Sequence, residues 1–104
     1  MKAHTKPETV LIDLMKCVDG TTTSPEGVAL FYTMDKVLKA KKVVKLSLRG
    51  ATPLSSSFLN SSFGELHEKY GHTFLRKHIM LVNFLPSQAV RIRGYLKELD
   101  KLVS

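Results

Sequence analysis

Cysteine occurs once in the 104 residues, at position 17, and tryptophan not at all. A lone thiol cannot build a disulfide scaffold, which suits a reducing compartment. No apolar run approaches the roughly 20 residues needed to span a bilayer. The first ten residues, MKAHTKPETV, lack the apolar core of a secretory signal. A cytoplasmic protein without membrane attachment is expected. No G-x-x-x-x-G-K-[S/T] loop is present, which argues against nucleotide hydrolysis, and no G-x-S-x-G elbow offers a hydrolase nucleophile. Acids are also few: nine, against 16 lysines and arginines, for a formal charge of +7. That imbalance raises the question of an anionic partner.

What remains is an ordinary globular composition, with 43% hydrophobic and 24% charged residues. It is too apolar for a disordered chain and long enough for one core. We expect a single domain over 1–104, with 1–8 flexible or forming an edge strand. Residues 9–19 carry apolar side chains on both parities, predicting a strand covered on both faces or partly on its outer one. Ser24-Pro25-Glu26 reads as a helix start, with Ser24 as N-cap. From there Val28, Phe31, Leu38 and their neighbours fall at helical spacing up to the Lys39–Lys42 run. The segment V43-VKLSL-R49 is a second strand. A helix follows from about Ser55 to Tyr70, with Gly71 placed for a left-handed cap. H78-IMLVNF-L85 is apolar enough for a central or well-covered strand. Ser87 is a candidate N-cap for the last helix, Gln88 to Val103. The order β-α-β-α-β-α predicts an α/β fold, a small, mostly parallel sheet of three to four strands. A fourth strand could come from residues 2–7 or from Thr21 to Thr23. The exposed sheet edges leave a homodimer open.

The stretch from Arg49 to Leu66 joins a strand end to a helix start, the edge where ligands gather in open α/β sheets. Ser55, Ser56, Ser57, Ser61 and Ser62 crowd it, and one of the first three is expected near the N-cap. The strand VVKLSL, the Gly50-Ala51-Thr52-Pro53 loop, the S-S-F-L-N core of Ser56 to Asn60 and the helix to Tyr70-Gly71 resemble the STAS-like domain of unknown function. This bacterial and archaeal family is named for its likeness to sulfate-transporter and anti-sigma-factor-antagonist domains. The likeness extends over about 9–103, including Thr23-Ser24-Pro25-Glu26-Gly27. It implies a regulatory, protein-binding module with no catalytic residue and no cofactor. The implied partner is a protein such as an ATPase-like kinase or a sigma-regulator-like protein. In the antagonists a serine at this helix start is phosphorylated, and Ser56 or Ser57 takes that place here. The family's Asp before the serine pair and Gly after it are replaced by Ser55 and Phe58, which weakens the kinase inference. The expected contact surface is Thr52, Ser55, Ser56, Ser57, Phe58 and Asn60, with Phe58 either an exposed anchor or a core residue. A small-anion or nucleotide sensor at the same helix start is a third reading.

The alternative is a basic nucleic-acid-associated protein. Lys39, Lys41, Lys42, Arg76 and Lys77 precede strands and so belong at the opposite edge of a parallel sheet, where they could merge into one patch. No RRM or KH motif supports this, and aromatic residues are poorly interleaved. His67, His72 and His78 lack the tight spacing and accompanying thiols or acids of a zinc site, so no metal is expected. Cys17 among apolar neighbours reads as an inert core thiol. Asp13 has no acid/base partner nearby in sequence, so an enzyme is not expected.

Overall fold

The computed structural model describes residues 7–103. Residues 1–6, on which part of the expected flexible segment or extra strand falls, lie outside the described residues. Three parallel strands form one sheet in the order β1-β2-β3: β1 (Thr9–Asp13), β2 (Val43–Ser47) and β3 (Ile79–Val82). The crossover from β1 to β2 is α1 (Leu14–Cys17) and α2 (Ser24–Lys39). That from β2 to β3 contains α3 (Ser56–Leu59), a π-helical turn (Asn60–Gly64), α4 (Glu65–Tyr70) and α5 (His72–His78). The last helix, α6, spans Pro86–Val103. The chain is thus α/β with a small parallel sheet, as the alternating pattern predicts.

Several elements depart from the sequence pattern, each for a local reason. β1 stops at Asp13, short of the expected Val18, because Leu14 and Val18 lie four apart and are both buried, as one helical turn places them. The N-cap of α2 is Thr23, where Ser24 was expected. Its side chain accepts from Glu26 N–H while the Glu26 carboxylate accepts from Thr22 and Thr23 N–H, a capping box that extends one residue back. Thr21 to Thr23 lead into this cap and form no strand. α6 begins at Pro86, so the expected N-cap Ser87 is already helical, and the Gln88 side chain reaches back to accept from Leu85 N–H at 2.7 Å.

Gly71 has φ +85°, and a new helix starts at once in the stretch 72–77, which the sequence pattern leaves unassigned. α5 is held by Tyr70, Phe74 and His78, stacked at four-residue spacing, and by buried Leu75. β3 is an outer strand and only partly buried, which corrects the expectation of a central or well-covered strand. Its apolar character reflects Ile79 and Leu81 packing on the core, while Met80 between them is 49% exposed. β2 is the central strand, with Val44 and Leu46 fully buried.

The core gathers these strand residues with Leu30, Met34 and Leu38 of α2, Phe58, Phe63 and Leu66 of the serine-rich helical run, and Ile92 of α6. Among the described residues the opposite sheet face is open across one register row, Leu11, Lys45 and Met80, all exposed.

Candidate functional site

The serine-rich segment lies at the carboxyl ends of the strands, as the strand-to-helix position requires. The structure places it against two other segments far away in sequence. Ser55 N–H donates to the Thr21 carbonyl at 3.1 Å, the Ser55 hydroxyl to the Thr22 carbonyl at 2.8 Å, and Thr21 Oγ1 donates to the Pro53 carbonyl. The Ser61 hydroxyl lies 2.9 Å from the Ser24 carbonyl, so the start of α2 and the helical run from Ser56 are stitched side by side. From the third side, buried Gln88 brings its Nε2 within reach of the Leu48 and Ala51 carbonyls and Thr52 Oγ1, at 2.9, 3.1 and 3.2 Å. The Thr52–Pro53 peptide is cis. Between this loop and the first turns of α6 runs a cleft of about 240 Å³ lined by Thr52, Pro53, Ser87, Gln88 and Arg91.

The expected site residues now divide. Ser55 is the N-cap: its hydroxyl accepts from Phe58 N–H at 3.1 Å as well as donating to Thr22. Thr52, Ser56, Ser57 and Asn60 are exposed on one local surface. Phe58 is fully buried, which rules out the exposed anchor and leaves the core residue of its two expected readings. It sits in the helix turn that faces the core, beside Leu59. Asn60 accepts from the Tyr95 hydroxyl at 2.6 Å.

The residue the sequence reading missed is Arg91. Its Nε donates to the Leu54 carbonyl at 3.0 Å and its Nη2 to the Ser56 hydroxyl at 3.2 Å. In sequence it was one basic residue on the polar side of the last helix, and nothing in its spacing pointed 35 positions back to Ser56. The site therefore carries an exposed hydroxyl at a helix start, with a guanidinium fixed against it.

The basic groups lie at the other end of the strands. Lys39 pairs with Asp35 at 3.6 Å and Lys42 with Glu8 at 3.2 Å. Lys41 is the residue that turns the chain after α2, with φ +60°. Arg76 and Lys77 are exposed in the last turn of α5 and share a groove with Val43. Burial first, and then the charge of Asp13, push the Cys17 thiol up, so it stays protonated at neutral pH. Among the described residues no group of three or more His, Cys, Asp or Glu could hold a metal ion. No helix among them is long and apolar enough to cross a membrane.

A family model described as a STAS-like domain of unknown function matches residues 26–89, from the first turn of α2 into the first turn of α6. Neither a curated protein nor a solved structure matches the chain.

Proposed function

Since the chain belongs to the STAS-like domains of unknown function, we propose that it is a non-catalytic regulatory domain that docks a protein partner on the surface around Thr52, Ser56, Ser57 and Asn60. Phosphorylation of Ser56 switches this contact. The observation that carries the reading is Arg91 Nη2 at 3.2 Å from the exposed Ser56 hydroxyl. A phosphate on Ser56 would bring about −1.5 to −2 charges and three acceptor oxygens to a guanidinium already in place. The adjoining amides at the helix start favour the same charge. The phosphate is thereby held against the surface, and the local charge a partner meets falls from the +1 of Arg91 to a net of about −0.5 to −1. Ser57 is also exposed, but Arg91 reaches Ser56. Ser55 is excluded as the switch because its oxygen is committed to the cap and to Thr22.

The partner class implied by the family resemblance is an ATPase-like kinase or a sigma-regulator-like protein. We read residues 1–104 as one domain in a cytoplasmic setting. The nucleic-acid alternative would use Lys39, Lys41, Lys42, Arg76 and Lys77, and it is weakened by the acids paired with Lys39 and Lys42. Steeply salt-dependent binding to mixed duplex or single strands would restore it.

The test is phosphate mapping by mass spectrometry on protein isolated from its own cells, combined with co-purification of Ser56→Ala and Ser56→Asp. The expected result is phosphate at Ser56, and a partner retained by Ser56→Ala but lost by Ser56→Asp. Identical partner sets for the two variants, or phosphate confined to positions outside 52–60, would remove the switch.

A further inference from the structure

A second concavity lies away from Ser56 and shares no lining residue with the cleft beside it. It is a groove of about 480 Å³ between α5, β3 and α6. That volume falls within the roughly 300–1,000 Å³ of pockets that bury a small organic ligand. The shape follows from how α6 is held. Near its middle the Tyr95 hydroxyl donates to Asn60 at 2.6 Å, and Ile92 is buried against the core. Near its end Asp100 bridges two imidazoles, with Oδ1 2.7 Å from His67 Nε2 and Oδ2 2.8 Å from His72 Nδ1. The groove opens between α6 and β3, and Ile92, Arg93 and Leu96 are the α6 residues that line it. The floor left in the gap is apolar: Phe63, Leu75, Ile79, Leu81, Ile92 and Leu96. Ile79, Leu81 and Leu96 are only partly buried.

The charged residues of the lining are all basic, and the Asp100 carboxylate stands behind His67 and His72. Arg76 and Lys77 come from the last turn of α5 and Arg93 from α6, all exposed, with the Arg93 guanidinium 5.9 Å from the Phe84 ring centre. His67 and His72 complete the polar set, and no acid is among the lining residues. Filling such a floor with hydrocarbon is favoured because it removes apolar surface from water. The cations at the rim select a ligand whose polar end is negative.

We infer that this groove binds a small amphipathic carboxylate, an apolar body of medium-chain fatty-acid size lying on the Leu75–Leu81–Leu96 floor with its carboxylate at the Arg76, Lys77 and Arg93 rim. Sodium decanoate, kept below its micelle concentration, is the probe, and 1-decanol is its uncharged counterpart. Calorimetry and methyl NMR shifts on the full chain read the binding. The expected result is saturable one-to-one binding of decanoate, with shifts centred on Ile79, Leu81, Ile92 and Leu96. Decanol binds at least tenfold more weakly. The exposed-residue variant Arg76→Gln/Lys77→Gln/Arg93→Gln also loses at least tenfold in decanoate affinity. Leu96→Trp, which fills the groove, abolishes binding; if it does not fold, the triple variant still decides. Absence of saturation up to millimolar decanoate, equal binding of decanol, or unchanged affinity in the triple variant overturns the proposal. So does self-association that buries the same methyls without ligand. None of these variants touches Ser56 or Arg91, so the outcome is independent of the phosphorylation test.

Discussion

Gly27 stands where α2 meets the π turn, and a Cβ there would lie 2.0 Å from Ser61 Oγ and 2.5 Å from the Phe58 carbonyl oxygen. The side chain could rotate away, but the backbone carbonyl cannot. Gly27→Ala is therefore expected to destabilise by about 2–3 kcal/mol in urea titration. Adding Ser61→Ala should recover only part of this; full recovery would show that the hydroxyl alone sets the contact. The sequence held Gly27 within T-S-P-E-G, but only the packed pair of segments shows why a side chain is excluded. Asp35 is a second such residue, buried in the helical stripe and bound by Lys69 Nζ at 2.8 and 3.0 Å and by the Tyr70 hydroxyl at 2.5 Å. Burial raises its carboxyl, but the hydrogen bonds from Lys69 and Tyr70 and the charges of Lys69 and Lys39 outweigh it, and the group is held below its ordinary value. Its stabilisation is present above the unfolded carboxyl value, about 4, and is lost as pH falls through the lowered one. Tyr70 is pushed up to about 12 by burial and then by its bond to Asp35 and that residue's charge. The neutral phenol is thus favoured in the fold, so this contribution is complete below the unfolded value of about 10 and fades between about 10 and 12. Urea midpoints measured across pH should fall at that alkaline limb. In Tyr70→Phe the limb should flatten, and an unchanged limb would contradict the assignment.

The ends of α2 show how much of an element is fixed by its terminal residues. At its start the Thr23–Glu26 box satisfies donors that the first turn leaves open. At its end Lys41 N–H donates to the Leu38 carbonyl at 2.9 Å and Lys42 N–H to Val37 at 3.2 Å, the paired bonds of a Schellman turn. Lys41 sits at φ +60°, where a residue with a Cβ is disfavoured and glycine is not. Lys41→Gly is expected to stabilise by about 0.5–1 kcal/mol, raising Tm by about 2–8 °C, and Lys41→Val to destabilise. A fall in Tm for the glycine variant would mean that the lysine side chain stabilises the turn more than its backbone strain costs. The long elements were legible because burial writes a periodicity over ten or more residues, as in α2 and α6. α1 and α5 are single or double turns, too short for a period to be distinct from strand alternation. Leu14 and Val18, and Tyr70, Phe74 and His78, reveal their helical spacing only once the neighbouring strand limits are known.

At the scale of the molecule, the β-α alternation carried the parallel sheet, whereas the site did not follow from any one segment. Ser56 and Arg91 belong to different helices, and their meeting depends on how α6 folds back over the Ala51–Leu54 loop. The same assembly leaves the row Leu11, Lys45 and Met80 open on one sheet face. Parallel sheets are commonly covered on both faces, so an open face here calls for a device against association. Lys45 supplies it: on the central strand, between two exposed apolar side chains, its ammonium must stay hydrated, and a second sheet laid on the row would have to desolvate it. Lys45→Leu merges Leu11 and Met80 into one apolar strip. Sedimentation velocity over a concentration series should show self-association at least tenfold tighter than for the wild type. Lys97→Leu, which removes one charge at an exposed position of α6, controls for the change in net charge. Equal association of the two variants would assign the effect to charge alone. A Lys45→Leu chain that associates no more than the wild type would show that the open face needs no ammonium to stay unpaired.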